Sequence, residues 1–240
     1  MGRPIFIANW KMYLSLEEVL SWCNECTDDA SRWFRGATII VCPESTHLPF
    51  TYTGISAHIQ IGAQDCSPEV SGAFTGQVSA AHLHQIGLRY TIVGHQERRT
   101  YQHETTELIA QKYVAATLQG VTPIACVPDA DEAERLFTQI RNAGCLPKKI
   151  ICAFEPPHSI GTGRAARRDE ICAHAHAIRA GLRKAFPRSR AAILYGGSVD
   201  TKNVKRLCTI DEIDGLLIGK ASTNFQAFKK IVSSFMNKAL

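Results

Sequence analysis

TPIACVPDADEAERLFTQIRNAGCLPKKIICAFE, residues 122–155, is the stretch that decides the fold. It opens on a short apolar run, TPIACV at 122–127, and closes on another, IICAFE at 150–155. Neither run alternates apolar with polar residues, and strands apolar on both faces belong to parallel sheets covered from both sides. Between them Asp131 to Ala143 carries helical periodicity, and Gly144 stands where a helix C-cap favours a residue free to take positive φ. The stretch reads as strand, helix, strand.

The same pattern recurs on either side. Upstream are IFIAN at 5–9, TIIVC at 38–42, IQIGA at 59–63 and YTIVG at 90–94; downstream are AAILYG at 191–196 and GLLIG at 215–219. Helical periodicity fills Leu16 to Phe34, Glu104 to Leu118, Asp169 to Phe186 and Asn224 to Met236. Ser15 and Asp169 are N-cap signals and Gly120 is a second C-cap signal. Only the second connection is poor, since HLPFTYTG holds at most one short helix. Eight strands alternating with helices in 240 residues, with no linker-like stretch, predict an α/β protein with a closed (β/α)8 barrel. Residues 1–240 are expected to form it as a single domain, and an open doubly wound sheet is the rival.

Composition narrows the function. The 27 Lys and Arg exceed the 22 Asp and Glu by a mild +5, and the basic runs Arg164 to Arg168 and Arg183 to Arg190 lack interleaved aromatics. Both read as solvated faces, so no nucleic-acid partner is expected. With 45% hydrophobic residues, 10 Pro and 17 Gly, collagen-like and disordered classes are excluded. No run approaches the ~18–20 apolar residues of a membrane span, and MGRPIFIANWKM lacks the apolar core of a signal peptide. A cytoplasmic protein without a membrane partner is the expectation. Of the nine cysteines, Cys42, Cys126 and Cys152 lie inside apolar runs, which favours free thiols over a disulfide framework. Cys23 and Cys26 form a lone CxxC, and the pairs His82/His84 and His174/His176 face different ways on helices. No metal site is expected.

A closed barrel gathers its chemistry at the C-terminal ends of its strands. Asn9 and Lys11 follow the first run, Gly94, His95 and Glu97 the fourth, and Glu155 the sixth. Gly196-Gly197-Ser198 and Gly219-Lys220 follow the last two. A lone Glu is more often an ion-pair or cap partner; the place of Glu155 at a strand mouth, stiffened by Pro156-Pro157, makes it a candidate base. His95 precedes QERRTYQ, a short helix whose N-terminus disfavours imidazolium, so a neutral ring there would donate to a carbonyl. Lysines are mostly solvated, but Lys11 beside Asn9 offers a cation and an amide to one developing oxyanion. Glycines after the last two strands would let N–H groups approach a phosphate, the plainer reading being tight turns. GTGRAARRDE at 161–170 is only a weak Gly-rich signal, unlike a dinucleotide fingerprint, and no P-loop is present.

Taken together, ANWKM at 8–12, AQDCSPEVSGAFTGQVSA at 63–80, YTIVGHQERR at 90–99, EPPHSIGTGR at 155–164, YGGSV at 195–199 and DGLLIGKAS at 214–222 resemble the triosephosphate isomerase family. The resemblance follows the family's order over nearly the whole chain. It implies a TIM barrel and a homodimer, with no metal or organic cofactor. The implied substrate is a small phosphorylated sugar, dihydroxyacetone phosphate interconverting with D-glyceraldehyde 3-phosphate in glycolysis and gluconeogenesis. By this resemblance Glu155 is the base, neutral His95 polarises the carbonyl, and Lys11 with Asn9 holds the enediolate charge, supported by Glu97. The segment from Pro156 to about Ala166 resembles the family's closing lid. Gly161, Ser198 and Gly219 would supply phosphate-binding amides, with Lys220 beside them. Thr75, Gln77 and Arg98 would lie at the dimer interface.

Six positions depart from the family pattern. Gln96 replaces a Ser next to the base, His158 a lid Trp, and Pro128-Asp129 the Gly-Glu that contacts that Trp. Lys220 replaces the second Gly of the phosphate turn, where a positive φ would strain it, and Gln77 replaces a Glu that pairs with Arg98 across the interface. Two alternatives stay open on the sequence: a paralogue that isomerises another short sugar phosphate such as a tetrulose phosphate, and a barrel kept for binding or scaffolding.

Overall fold

The computed structural model describes residues 2–29, 34 and 36–237. Eight parallel strands close into a barrel in sequence order: β1 (Ile5–Asn9), β2 (Thr38–Cys42), β3 (Gln60–Ala63), β4 (Tyr90–Val93), β5 (Thr122–Val127), β6 (Lys149–Phe154), β7 (Arg190–Tyr195) and β8 (Gly215–Ile218). The helices between them are α1 (Leu16–Asp29), α2 (Leu48–Gly54), α3 (Ala80–Gln85), α4 (Gln96–Tyr101), α5 (Thr106–Leu118), α6 (Ala130–Asn142), α7 (Arg168–Ala185), α8 (Val204–Leu207) and α9 (Phe225–Met236).

Alternation along each strand divides the core in two. Ile5, Ile7, Ile40, Ile92, Ile124 and Leu217 fill the barrel interior, while Phe6, Ala8, Ile39 and Val41 point outward and pack under the helices. Both faces are therefore apolar, which is why the strands read as unbroken hydrophobic runs. Closure joins β8 to β1 with Ile5 opposite Gly215. A Cβ at Gly215 would stand 1.8 Å from the Ile5 carbonyl oxygen, so only glycine allows this seam.

The helices follow the signals that precede and end them. Ser15 and Glu18 form a reciprocal capping box at α1, the Glu18 N–H donating to Ser15 Oγ and the Ser15 N–H to Glu18 Oε2. Gly120 and Gly144 both take φ 74 just past α5 and α6. In α9 the buried stripe Phe225, Phe228, Ile231, Val232 and Phe235 faces the barrel, each side chain contributing roughly 1.5–3 kcal/mol by leaving water. The expected cap at Asp169 is corrected: α7 starts earlier, its N-cap is Arg167 without a side-chain bond, and Asp169 lies in the first turn. The first helix is described to Asp29, and Phe34 sits in a turn; of the expected extension, residues 30–33 lie outside the described residues. His174 serves packing, stacking on Phe154 at 4.7 Å and accepting the Ala130 N–H at 3.3 Å. All nine cysteines are free thiols. Among the described residues no helix is long and apolar enough to cross a membrane.

Candidate active site

The C-terminal ends of β1, β4, β6, β7 and β8 share one rim, and around it lies a cavity of about 470 Å³. Lys11, His95, Gly161, Gly196, Ser198, Gly219 and Lys220 all line it, so residues spread over more than 200 positions of sequence meet in one hollow. Glu155, Asn9 and Glu97 stand just behind this lining and hold its members in place.

His95 is the N-cap of α4, and its Nδ1 accepts the Glu97 N–H at 3.2 Å. A nitrogen that accepts from a backbone amide carries no proton, so the neutral ring bears its hydrogen on Nε2. That Nε2 lies 3.2 Å from Oε1 of Glu155. The contact is close but not aligned as a hydrogen bond, and Oε1 is left buried without a partner. The other oxygen, Oε2, accepts the main-chain N–H of Gln96 at 3.1 Å. Glu155 itself is 1% exposed, a carboxylate sealed from water with one oxygen unclaimed. Beneath it, burial and then the charge of Glu155 push the Cys126 thiol well above its ordinary range, so Cys126 remains S–H.

Gly196 defines the other side of the carboxylate. A Cβ there would come within 2.7 Å of Glu155 Cγ, so the glycine is needed for the base to occupy this position. Lys11 is one of two described non-glycine residues with positive φ, at 50°. Three contacts hold this unfavourable turn: the Lys11 N–H donates to Asn9 Oδ1 at 3.1 Å, Gln64 Nε2 donates to the Lys11 carbonyl at 2.8 Å, and Lys11 Nζ pairs with Glu97. With its oxygen engaged, Asn9 keeps its amide NH2 as the donor available to a ligand.

The segment from Pro156 to about Ala166, expected as a lid, is latched to β7 and the turn after it. The Ala166 N–H donates to the Tyr195 hydroxyl at 2.8 Å, the Gly163 N–H donates to Ser198 Oγ at 3.1 Å, and Ser198 Oγ donates to the Ser159 carbonyl at 2.6 Å. Tyr195 and Gln64 were not singled out from the sequence. The signal for Tyr195 was a tyrosine closing an apolar strand run, whose hydroxyl has to find a partner once buried; for Gln64 there was none, because its role is to hold another residue's backbone.

The departures resolve individually. Gln96 turns its side chain to Thr100 Oγ1 at 3.3 Å and holds Glu155 through its main chain, so the loss of a Ser hydroxyl leaves the base anchored. His158 faces Glu170 at 3.3 Å, while Asp129 caps α6 by accepting the Glu132 N–H at 2.7 Å. Lys220 opens a short 3-10 turn at Lys220–Thr223 and is not among the positive-φ residues, so the expected strain is absent. Thr75 and Gln77 are exposed on a loop whose base is closed by a bridge between Ser67 and Ser79. The Arg98 guanidinium pairs within the chain, with Asp65 at 2.9 Å and Glu104 at 2.6 Å.

Comparison with known proteins agrees with this geometry. The sequence model of triosephosphate isomerase matches residues 4–235. The triosephosphate isomerase of Carboxydothermus hydrogenoformans is 38% identical over 97% of this chain and 98% of its own. Those of a Mycobacterium species (strain JLS) and of Mycobacterium bovis are 36% and 34% identical, covering 94% and 96% of both chains. These full-length relatives do not favour an isomerase of longer sugar phosphates. A match that runs from the start of the first strand into the last helix, onto a barrel with this rim, makes the chain a member of the triosephosphate isomerase family.

Proposed function

We propose that the protein interconverts dihydroxyacetone phosphate and D-glyceraldehyde 3-phosphate by proton transfer through an enediolate. The observation that carries this reading is the pair at the rim: a buried carboxylate with one unpartnered oxygen, 3.2 Å from an imidazole Nε2 that carries its proton. A substrate carbonyl that accepts from His95 Nε2 stands beside Glu155, which takes the proton from the adjoining carbon and returns it to the carbonyl carbon. Negative charge develops on the substrate oxygen during this transfer. The Lys11 ammonium and the Asn9 amide are the donors assigned to it.

The phosphate is assigned to the far side of the same cavity. Gly161 and Gly219 bring backbone N–H groups there, Ser198 lines it with its own N–H donated to the Ser159 carbonyl at 3.1 Å, and Lys220 adds a cation at its edge. Held closed by Tyr195 and Ser198, the lid keeps water from an intermediate able to eliminate phosphate. The chain is inferred to act as a homodimer through the face around Thr75, Gln77 and Arg98. Support comes from the exposed apolar residues: of the twelve large ones described, ten lie within the first 101 positions, including Met12, Val70, Phe74 and Tyr101.

Turnover in D2O tests the mechanism. Passage of the proton through Glu155 puts solvent deuterium on the product carbon next to the new carbonyl. A hydride shift would leave that carbon fully protonated, and this outcome removes Glu155 as the base.

A further inference from the structure

At the end of the barrel opposite the rim, the strands begin on a basic hollow. Ile5, Thr38, Lys149 and Arg190 are the first residues of β1, β2, β6 and β7. They share a cavity of about 930 Å³ with the last turns of α7 and the turn that leads into β7. β7 runs six residues from Arg190 to Tyr195, and its five steps at ~3.3 Å per residue set the hollow ~17 Å from the rim. It shares no lining residue with the cavity around His95.

Seven of its lining residues are Lys or Arg, and only Asp214 is acidic. This end therefore holds more positive charge than the +5 by which the whole chain is in excess. Two of the seven have partners: Lys149 lies 5.1 Å over the Tyr90 ring, and Arg179 pairs with Asp214 at 2.7 Å. Arg3, Lys148, Arg183, Arg188 and Arg190 are exposed, and among the described residues none of them forms an ion pair.

Helix capping explains only part of this. Arg183 belongs to the last turn of α7, where a cation offsets the negative helix end. Arg3, Lys148, Arg188 and Arg190 lie outside any helix. Like charges converging on a concave surface repel one another, and low-dielectric walls such as Leu182, Ala191 and Ala192 sharpen the field between them. An anion of several charges relieves that repulsion. The lining carries no aromatic side chain on which the bases of a single strand would stack, and a bounded hollow is not the extended stripe a duplex backbone needs.

We propose that this hollow is a second anion site, which takes a small ligand bearing two or more linked phosphates, either free polyphosphate or the phosphate chain of a nucleotide. Calorimetric titration of the purified protein with inorganic tripolyphosphate, orthophosphate and ATP tests it. Tripolyphosphate is expected to bind more tightly than orthophosphate. An ATP affinity equal to that of tripolyphosphate supports recognition of the phosphate chain alone, and a higher one supports a nucleotide as the source. In R183Q/R188Q/R190Q, tripolyphosphate affinity should fall about tenfold or more while kcat and KM for the triose are unchanged. Should that variant fail to fold, K148Q/R188Q, confined to exposed residues outside helices and strands, is expected to lose affinity in the same direction. Unchanged affinity in the folded variant would overturn the proposal, as would tripolyphosphate acting only as a competitor of the triose or a DNA duplex binding more tightly than tripolyphosphate.

Discussion

Glu155 is placed by backbone: the Gln96 N–H holds one carboxylate oxygen, and the missing side chain of Gly196 leaves room for Cγ. Gly196→Ala puts a methyl 2.7 Å from that carbon, so the carboxylate has to shift while the barrel around it stays packed. The expected result is a kcat lower by about 100-fold, with a thermal midpoint close to that of the parent, since an ångström of misplacement is enough to cost that much. An unchanged kcat would mean the base does not work from this position. The residues named from the sequence as chemical groups, Lys11, His95 and Glu155, were legible because strand ends in a barrel converge and their residue types announce acid, base and cation. What holds them was not. The bond from Gln64 to the Lys11 carbonyl, and the anchoring of Glu155 by an amide that every residue but proline possesses, leave no mark in residue identity. For the same reason Gln96 in place of Ser looked consequential in the sequence and is mild in the structure.

The lid and the helices on the barrel's outer face answer to separate forces. Tyr195→Phe removes the hydroxyl that accepts the Ala166 N–H, and Ala166 is 3% exposed, so the closed lid is left with a buried, unsatisfied donor. Such a group costs ~1–3 kcal/mol, which predicts a kcat about tenfold lower, together with release of inorganic phosphate during turnover as water reaches the intermediate. Turnover without phosphate release and at the parent rate would contradict the latch. On α6, burial pushes the Glu132 carboxyl up, but hydrogen bonds from Thr106, Arg135 and Arg99 outweigh it and hold the group below its ordinary value of 4.5. A carboxyl lowered by folding contributes stability above its unfolded value and loses that contribution as pH falls through its folded value. Glu132→Gln is thus expected to be less stable than the parent in urea at pH 7, with the gap narrowing toward pH 4; a gap independent of pH would assign the defect to packing. At this scale most of the fold was legible. All eight strands fell where apolar runs met Gly, Pro, Asn or charge, because most residues on both faces of each are buried. The start of α7 is the exception, because Arg167 initiates it without a side-chain cap and the cap-like signal in the sequence, Asp169, belongs to the acidic first turn that follows.

The whole molecule presents two ends and a side of different character. Chemistry is proposed for the C-terminal rim, unpaired cations crowd the N-terminal end, and exposed apolar residues concentrate on the half built from β1 to β4. Burial of that side in a homodimer predicts a sedimentation mass of twice 26.4 kDa, and Thr75→Arg should shift it toward 26.4 kDa by placing a long charged side chain in the contact. A parent that sediments as a single chain at micromolar concentration would refute the dimer. The central claim is that this rim isomerises a triose phosphate with Glu155 as its base. A coupled assay of glyceraldehyde 3-phosphate isomerisation by the purified protein, in EDTA and beside Glu155→Asp, tests it most directly. The account predicts robust turnover by the parent and a kcat about 100-fold lower when the carboxylate is drawn back by one methylene, with phosphate-analogue binding retained. Equal activity in the two proteins, or none in the parent, would contradict it.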